Sequence, residues 1–330
     1  PRASCWYGQR GGGEPELGGR GLPAEPGDPL GDFLERALPD IVSLLRPVVV
    51  QKHLHRADEP KLEPYRGPPA FDRAAAAAAL AGCLQHLDHR RLRAAIGSGA
   101  LPVCLAACED PSPCVQRPGL AAMLRLAREA LPSDLRVHRE ILLEVSAGCV
   151  LAADRDTWPL AAGTACELAV AIEGRNPRSA AYARLMGILL DAAELNAVYP
   201  DRATASLDAL QPLVRAVGLN CLLYFSRLMP LLIEWMHSSV KELREKAVDC
   251  LHGVLLVTWP RLRAHGSFLL KQILQAFDFA KGEEEKIKLK EIAALIKCIC
   301  AEDLDDDLKA RMLNFIPGFT SFNVVDQGSS

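Results

Sequence analysis

The chain has 330 residues, of which 49% are hydrophobic, 24% charged and only 5% aromatic, and its formal net charge is −3. That apolar fraction excludes a wholly disordered protein, and the scarcity of aromatic residues argues against a β-sandwich or barrel. The charge balance, with a pI near 6.3, argues against a dedicated nucleic-acid binder, which needs a strong basic surplus.

The chain opens on Pro1, not Met, and reads as a fragment or a misplaced start. Its first 31 residues hold 14 Gly or Pro and no apolar periodicity, so residues 1–31 are expected to be disordered. They lack the apolar core of a signal peptide. Length alone allows two domains or one long array.

From about residue 33 onward the apolar residues recur at helical spacing. Breakers of one form punctuate them, a bulky apolar residue followed by Pro: Leu38-Pro39, Leu101-Pro102, Leu131-Pro132, Trp158-Pro159, Tyr199-Pro200, Met229-Pro230 and Trp259-Pro260. Proline disfavours α geometry in the residue before it and can open the next helix, so each pair is read as a joint. Between Leu101 and Leu131 two helices flank an acidic turn, Glu109-Asp110-Pro111. Leu222 to Met236 is apolar nearly all round, as for an inner helix, and the longer stretch Leu219 to Met236 is broken by Asn220, Arg227, Pro230 and Glu234, which argues against a membrane span.

Ser239 and Glu242 then have the spacing of a capping box. Leu243, Ala247, Cys250, Leu251, Val254, Leu255 and Thr258 follow in steps of three and four, which place one apolar stripe on one helix face. Arg261 to Ala280 reads as the next helix, and Glu283 to Cys300 as its partner, with Ile287, Ile292, Leu295, Ile296 and Ile299 on the buried side. Hairpins recurring at about 40 residues are the HEAT or armadillo pattern. The expected fold is therefore all-α: a solenoid of HEAT/armadillo-like antiparallel helical hairpins over residues 32–317, with a flexible tail at 318–330.

The residues that could carry chemistry have plain alternatives. Most of the 11 cysteines sit in helical apolar patterns, and they read as free thiols. Cys104 and Cys108 share a helix face, with Cys114, His86 and His89 nearby, but no Cys-x-x-Cys pair accompanies them. The glycine runs at 11–13 and 97–99 have no phosphate-loop lysine, and no Gly-x-Ser-x-Gly elbow occurs. Asp303, Asp305, Asp306 and Asp307 lack the Gly and terminal Glu of a calcium loop. No catalytic residue, metal site or cofactor is expected, and the chain reads as a non-enzyme.

The run Glu242-Leu243-Arg244-Glu245-Lys246-Ala247-Val248-Asp249-Cys250-Leu251, continuing to Thr258-Trp259-Pro260-Arg261, resembles the Tti-two family. A looser likeness covers Ala75 to Pro132. The resemblance implies one subunit of the TTT complex, with Tti-one and Tel-two as partners. That complex works beside the ninety-kilodalton heat-shock chaperone as a co-chaperone for the stability and assembly of phosphatidylinositol-kinase-related kinases, in cytoplasm and nucleus. Neither nucleic acid nor membrane is implied as a partner. Arg244, Trp259, Pro260 and Arg261 are the family-motif residues and candidate partner contacts. Trp259 is expected to pack at the helical joint. The alternative is another HEAT/armadillo-type scaffold or a transport-receptor-like peptide-binding protein.

Overall fold

The computed structural model describes residues 28–50, 68–280, 282–300, 304 and 306–315. Most of the expected disordered start and all of the expected tail lie outside the described residues. Among the described residues every regular element is helical.

Helix α1 (Pro29–Val49) pairs with α2 (Ala70–Gln85). The chain is helical from Pro29 rather than from residue 32, because Pro suits the first helical turn and the turn is clasped from outside. Arg91 binds Asp28 at 3.2 Å, Glu35 at 3.4 Å, and Asp32. Gly31 leaves the space that the guanidinium fills: a Cβ there would lie 2.1 Å from Arg91 Nη1.

Arg91 belongs to the short α3 (His89–Gly97), which bends by 84° into α4 (Ala100–Cys108). The bend is made at Gly99, whose φ of 92° is left-handed and favours glycine. Helix α4 pairs with α5 (Pro113–Glu129); the short α6 (Pro132–Arg136) leads to α7 (Arg139–Ala152), which pairs with α8 (Trp158–Glu173). Then α9 (Ala180–Leu195) pairs with α10 (Pro200–Val217). A 3-10 helix, Gly218–Tyr224, precedes α11 (Phe225–Met236) and its partner α12 (Lys241–Thr258). A second 3-10 helix, Trp259–His265, precedes α13 (Gly266–Phe279) and α14 (Glu283–Cys300), and α15 (Asp306–Phe315) packs on α13.

The hairpins stack in two layers. Helices α2, α5, α8, α10, α12 and α14 form one layer, each against the next; α1, α4, α7, α9 and α11 form the other. Helices of the first set approach one another more closely, so the array bends toward them and they are its inner layer. Their starts, Ala70, Pro113, Trp158, Pro200, Lys241 and Glu283, recur about every 42 residues, the armadillo/HEAT period. The core is one continuous seam of Leu, Ala, Val and Cys between the layers. Close contact is set by small residues: a Cβ on Gly119 of α5 would lie 2.8 Å from the Ala107 carbonyl carbon of α4.

Several expected boundaries move. Pro39 and Pro230 do not mark joints; they lie inside α1 and α11. Both are exposed, as are Glu35 and Ser226 four residues earlier, so water can satisfy the carbonyls these prolines leave free. Pro102 is tolerated in the first turn of α4, where its N–H would lack an intrahelical partner anyway. The other four apolar-Pro pairs do stand at joints. The expected helices 222–236 and 261–280 each begin as 3-10 turns, which carry the chain from inner to outer layer.

Taken together, α10, the first 3-10 helix and α11 are apolar enough in composition to cross a membrane. They are not one straight element, because α10 and α11 lie in different layers of the stack.

The capping box is not formed. Helix α12 starts at Lys241 with Val240 at its cap, and Ser238 Oγ accepts the Val240 N–H at 3.2 Å. The apolar stripe of α12 is buried as expected, from Leu243 through Thr258. On α14 the buried stripe runs through Glu285, Leu289, Ile292, Ala293, Ile296 and Cys300; Ile287 is off that stripe and exposed, contrary to expectation.

Candidate functional site

The four candidate residues do not form one site. Arg244 is the fourth residue of α12, and Trp259 follows the helix's last residue, so they are ~22 Å apart along its axis.

Arg244 is a structural clamp. Its Nε donates to Glu285 Oε1 at 2.9 Å and its Nη2 to Oε2 at 3.4 Å, which ties α12 to α14. Its Nη1 donates to the Ser238 and Ser239 carbonyls, at 3.0 and 3.2 Å, where the expected serine cap would have acted. The Glu285 side chain is 1% exposed, so its charge depends on this partner. The same device stands at the other end of the array. Arg73, the fourth residue of α2, donates to Asp110 at 2.8 and 3.1 Å, before α5, and to the Pro68 carbonyl at 2.7 Å. Sequence reading missed this pair; its signal was an Arg at the fourth position of an inner helix, with an acid near the start of the next.

Trp259, Pro260 and Arg261 are exposed, and Trp259 keeps 48% of its surface open. The expectation that Trp259 packs at the joint is therefore corrected. The joint is filled by its neighbours: Thr258 is buried, with Oγ1 donating to the Val254 carbonyl at 2.7 Å, and Leu262 is buried on the other side. Trp259 opens a 3-10 turn with φ −45°, ψ −34°, and the backbone turns its ring outward.

The other candidate surface is the open face of the inner layer. A cleft of about 240 Å³ lies there between α5, α8 and α10. Small and apolar groups line it, including Leu124, Leu160, Gly163 and Ala205. Its charges are paired across the stack: Arg128 with Glu167 at 3.3 Å and Lys246 with Asp208 at 2.6 Å, followed by Lys288 with Asp249 at 2.6 Å. A comparable ladder crosses the outer layer, Arg184 with Glu144 at 2.5 Å and Arg227 with Asp191 and Glu194 at 2.6 and 2.7 Å. These pairs fix the register of neighbouring repeats more than they stabilise them, since exposed ion pairs contribute about 0–1 kcal/mol.

Among the described residues the cysteines are free thiols. Cys104 and Cys108 are buried, whereas Cys114, His86 and His89 are exposed. Burial pushes the Cys104 thiol up to about 12, and the neighbouring Cys149 thiol together with burial raises Cys108 well above its ordinary value. Protonated thiols are poor nucleophiles and poor ligands. Among the described residues no three His, Cys, Asp or Glu side chains are grouped to hold a metal ion. Asp303 and Asp305 lie outside the described residues, and Asp307 is exposed at the start of α15. Chemically, the described surface offers charged and apolar contacts.

No family model matches the chain. A protein of Arabidopsis thaliana described as "Uncharacterized protein At2g39910" is 29% identical over 161 residues, which cover 49% of this chain and 37% of that protein. The chain thus spans little more than a third of that relative's length. Among solved structures, an engineered protein from a structural genomics programme superposes with a TM-score of 0.55 at 12% identity, covering 79% of this chain and 98% of its own. A designed armadillo repeat protein gives 0.51 at 14% identity, with 78% and 99% covered. A second engineered protein gives 0.52 at 13% identity, with 87% and 66% covered. These likenesses show the fold: an all-α helical-repeat solenoid of armadillo type.

Proposed function

We propose that the chain is a non-enzymatic adaptor, the Tti-two-like subunit of a TTT co-chaperone complex, which holds Tti-one and Tel-two. Through them it serves the ninety-kilodalton heat-shock chaperone and its phosphatidylinositol-kinase-related kinase clients, in cytoplasm and nucleus. The observation that carries this reading is the family run from Glu242 to Arg261. Its first half supplies a repeat clamp through Arg244, and its last three residues stand free on the surface. An exposed Trp beside an exposed Arg adds little to packing but suits a docking surface, since Trp and Arg are enriched among the residues that dominate the energetics of protein interfaces. A stacked array also offers long faces to partners without needing an active site.

Tagged full-length protein should co-purify with Tti-one and Tel-two. Recovery of neither would overturn the family assignment and leave a helical-repeat scaffold of another kind. The cleft between α5, α8 and α10 favours one such alternative, a transport-receptor-like protein that takes a peptide along its inner face. Recovery of a cargo peptide in that cleft, sensitive to Gly163→Trp, would select it.

A further inference from the structure

The hairpin topology sorts the connecting segments onto two edges. Turns inside each hairpin lie on one edge, and the segments that pass from an inner helix to the next outer helix lie on the other. The within-hairpin edge is rich in acids, with Glu109, Asp154, Asp156, Glu242 and Glu283 exposed. Most of these stand near the starts of inner helices, where negative charge suits the helix dipole.

The passing edge is the reverse. Side-chain contacts join its segments into one strip: Arg93 to Asp134 at 3.6 Å, Arg136 to the Ile172 carbonyl at 2.8 Å, Asn220 to the Pro177 carbonyl at 2.9 Å, and the Phe225 and His265 rings at 5.9 Å. Helix spacings of 8–10 Å make the strip about 40 Å long. Three of its acids are engaged: Asp88 accepts backbone N–H groups of α3, Asp134 holds Arg93, and Glu173 holds Arg139 at 2.6 Å, while Glu140 is exposed beside Arg139. Arg90, Arg175, Arg178 and Arg261 are exposed along it, with no side-chain ion pair or hydrogen bond among the described residues. Exposed apolar side chains alternate with them, Val137 at 78%, Leu223 at 77% and Trp259 at 48%.

We infer that this strip is a docking surface for an acidic polypeptide segment that carries aliphatic residues between its carboxylates. The inference rests on the scaffold reading and gives the partner its chemistry. Free guanidinium groups pair with carboxylates in a bidentate way, and the apolar side chains between them need matching apolar groups. A nucleic acid fits less well: only a few cations are free, no lysine occurs between residues 62 and 240, and the whole chain is net negative at −3.

The test uses full-length protein and a labelled twenty-residue peptide of alternating Glu-Glu and Leu-Val pairs, followed by fluorescence anisotropy. The comparison proteins are the triple variant Arg175→Glu/Arg178→Glu/Arg261→Glu, the single Arg261→Glu, and Arg155→Glu on the opposite edge. Binding should weaken with added salt and fall about tenfold or more in the triple variant, by less in Arg261→Glu, and remain unchanged in Arg155→Glu. Melting curves should coincide, since all four arginines are exposed. No measurable peptide binding, or binding unchanged in both the triple and the single variant, would overturn the inference. Tighter binding of a twenty-nucleotide single strand through the same arginines would overturn it in favour of nucleic acid. Failure to recover Tti-one and Tel-two leaves the peptide result standing, so the two readings fail separately.

Discussion

Thr-Trp-Pro occurs twice, and the two copies have opposite fates. Thr157-Trp158-Pro159 begins the inner helix α8, where Trp158 is 7% exposed, lies near the Arg202 guanidinium at 5.8 Å, and joins the core. Thr258-Trp259-Pro260 ends the inner helix α12, where Trp259 is 48% exposed. Both threonines are buried. The tripeptide marks a helix end in each place, but one is on the acidic edge and the other on the arginine edge. Position within the repeat, not the local residues, decides whether the ring serves the core or the surface.

The largest contrast is expected from truncating the two rings. Trp158→Ala should lower stability by about 3–5 kcal/mol in urea unfolding, and Trp259→Ala by less than about 1 kcal/mol. Equal losses would erase the distinction. Next comes the clamp at the opposite end of α12 from Trp259. Arg244→Ala should cost about 3–5 kcal/mol, because it leaves Glu285 buried without its partner. Arg73→Ala should behave alike, since Asp110 is 4% exposed in the side chain. A near-neutral result at both would make the clamps dispensable for repeat stacking.

A finer contrast lies at the joints themselves. Gly174 and Gly218, which follow α8 and α10, both have φ of 57° with ψ near −130°, conformations open mainly to glycine. Trp259 holds the same place after α12 in ordinary helical geometry. Gly218→Ala should therefore cost about 1–3 kcal/mol, while Trp259→Gly should fall within about 1 kcal/mol; thermal melting of the two proteins checks this.

The smallest effect is on pH. Hydrogen bonding from Arg227 holds the Glu194 carboxyl below its usual value. A carboxyl lowered in the folded chain adds stability that is fully present above the ordinary glutamate value. That stability is lost as pH falls through the lowered value. Glu194→Gln should lower stability slightly at neutral and alkaline pH, leave it unchanged below the lowered value, and so flatten the acid limb of the profile. The effect is small because the pair is exposed and screened.

Much of the fold was legible in the sequence. The α12 stripe from Leu243 to Thr258 and four of the apolar-Pro joints follow from local spacing and from proline's missing N–H. What misled was also local. Pro39 and Pro230 read as breaks because the sequence does not show that their helices expose that side to water. Ser239 and Glu242 have a capping spacing, but the helix starts at Lys241 with Val240 at its cap, and the Ser238 and Ser239 carbonyls are held by Arg244, which also binds Glu285. Of the candidate surface, Trp259, Pro260 and Arg261 were found by resemblance, and their exposure was not. Arg175 and Arg178 gave no signal, because an edge made of segments about 40 residues apart exists only once the repeats stack.

Acrylamide quenching of Trp259 tests the account most directly, taken as the difference between the native protein and Trp259→Phe, alone and mixed with the proposed partners Tti-one and Tel-two. The prediction is a readily quenched Trp259 in the free chain that becomes protected in the complex. A ring already protected in the free chain, or one equally quenched when the partners are bound, would contradict it.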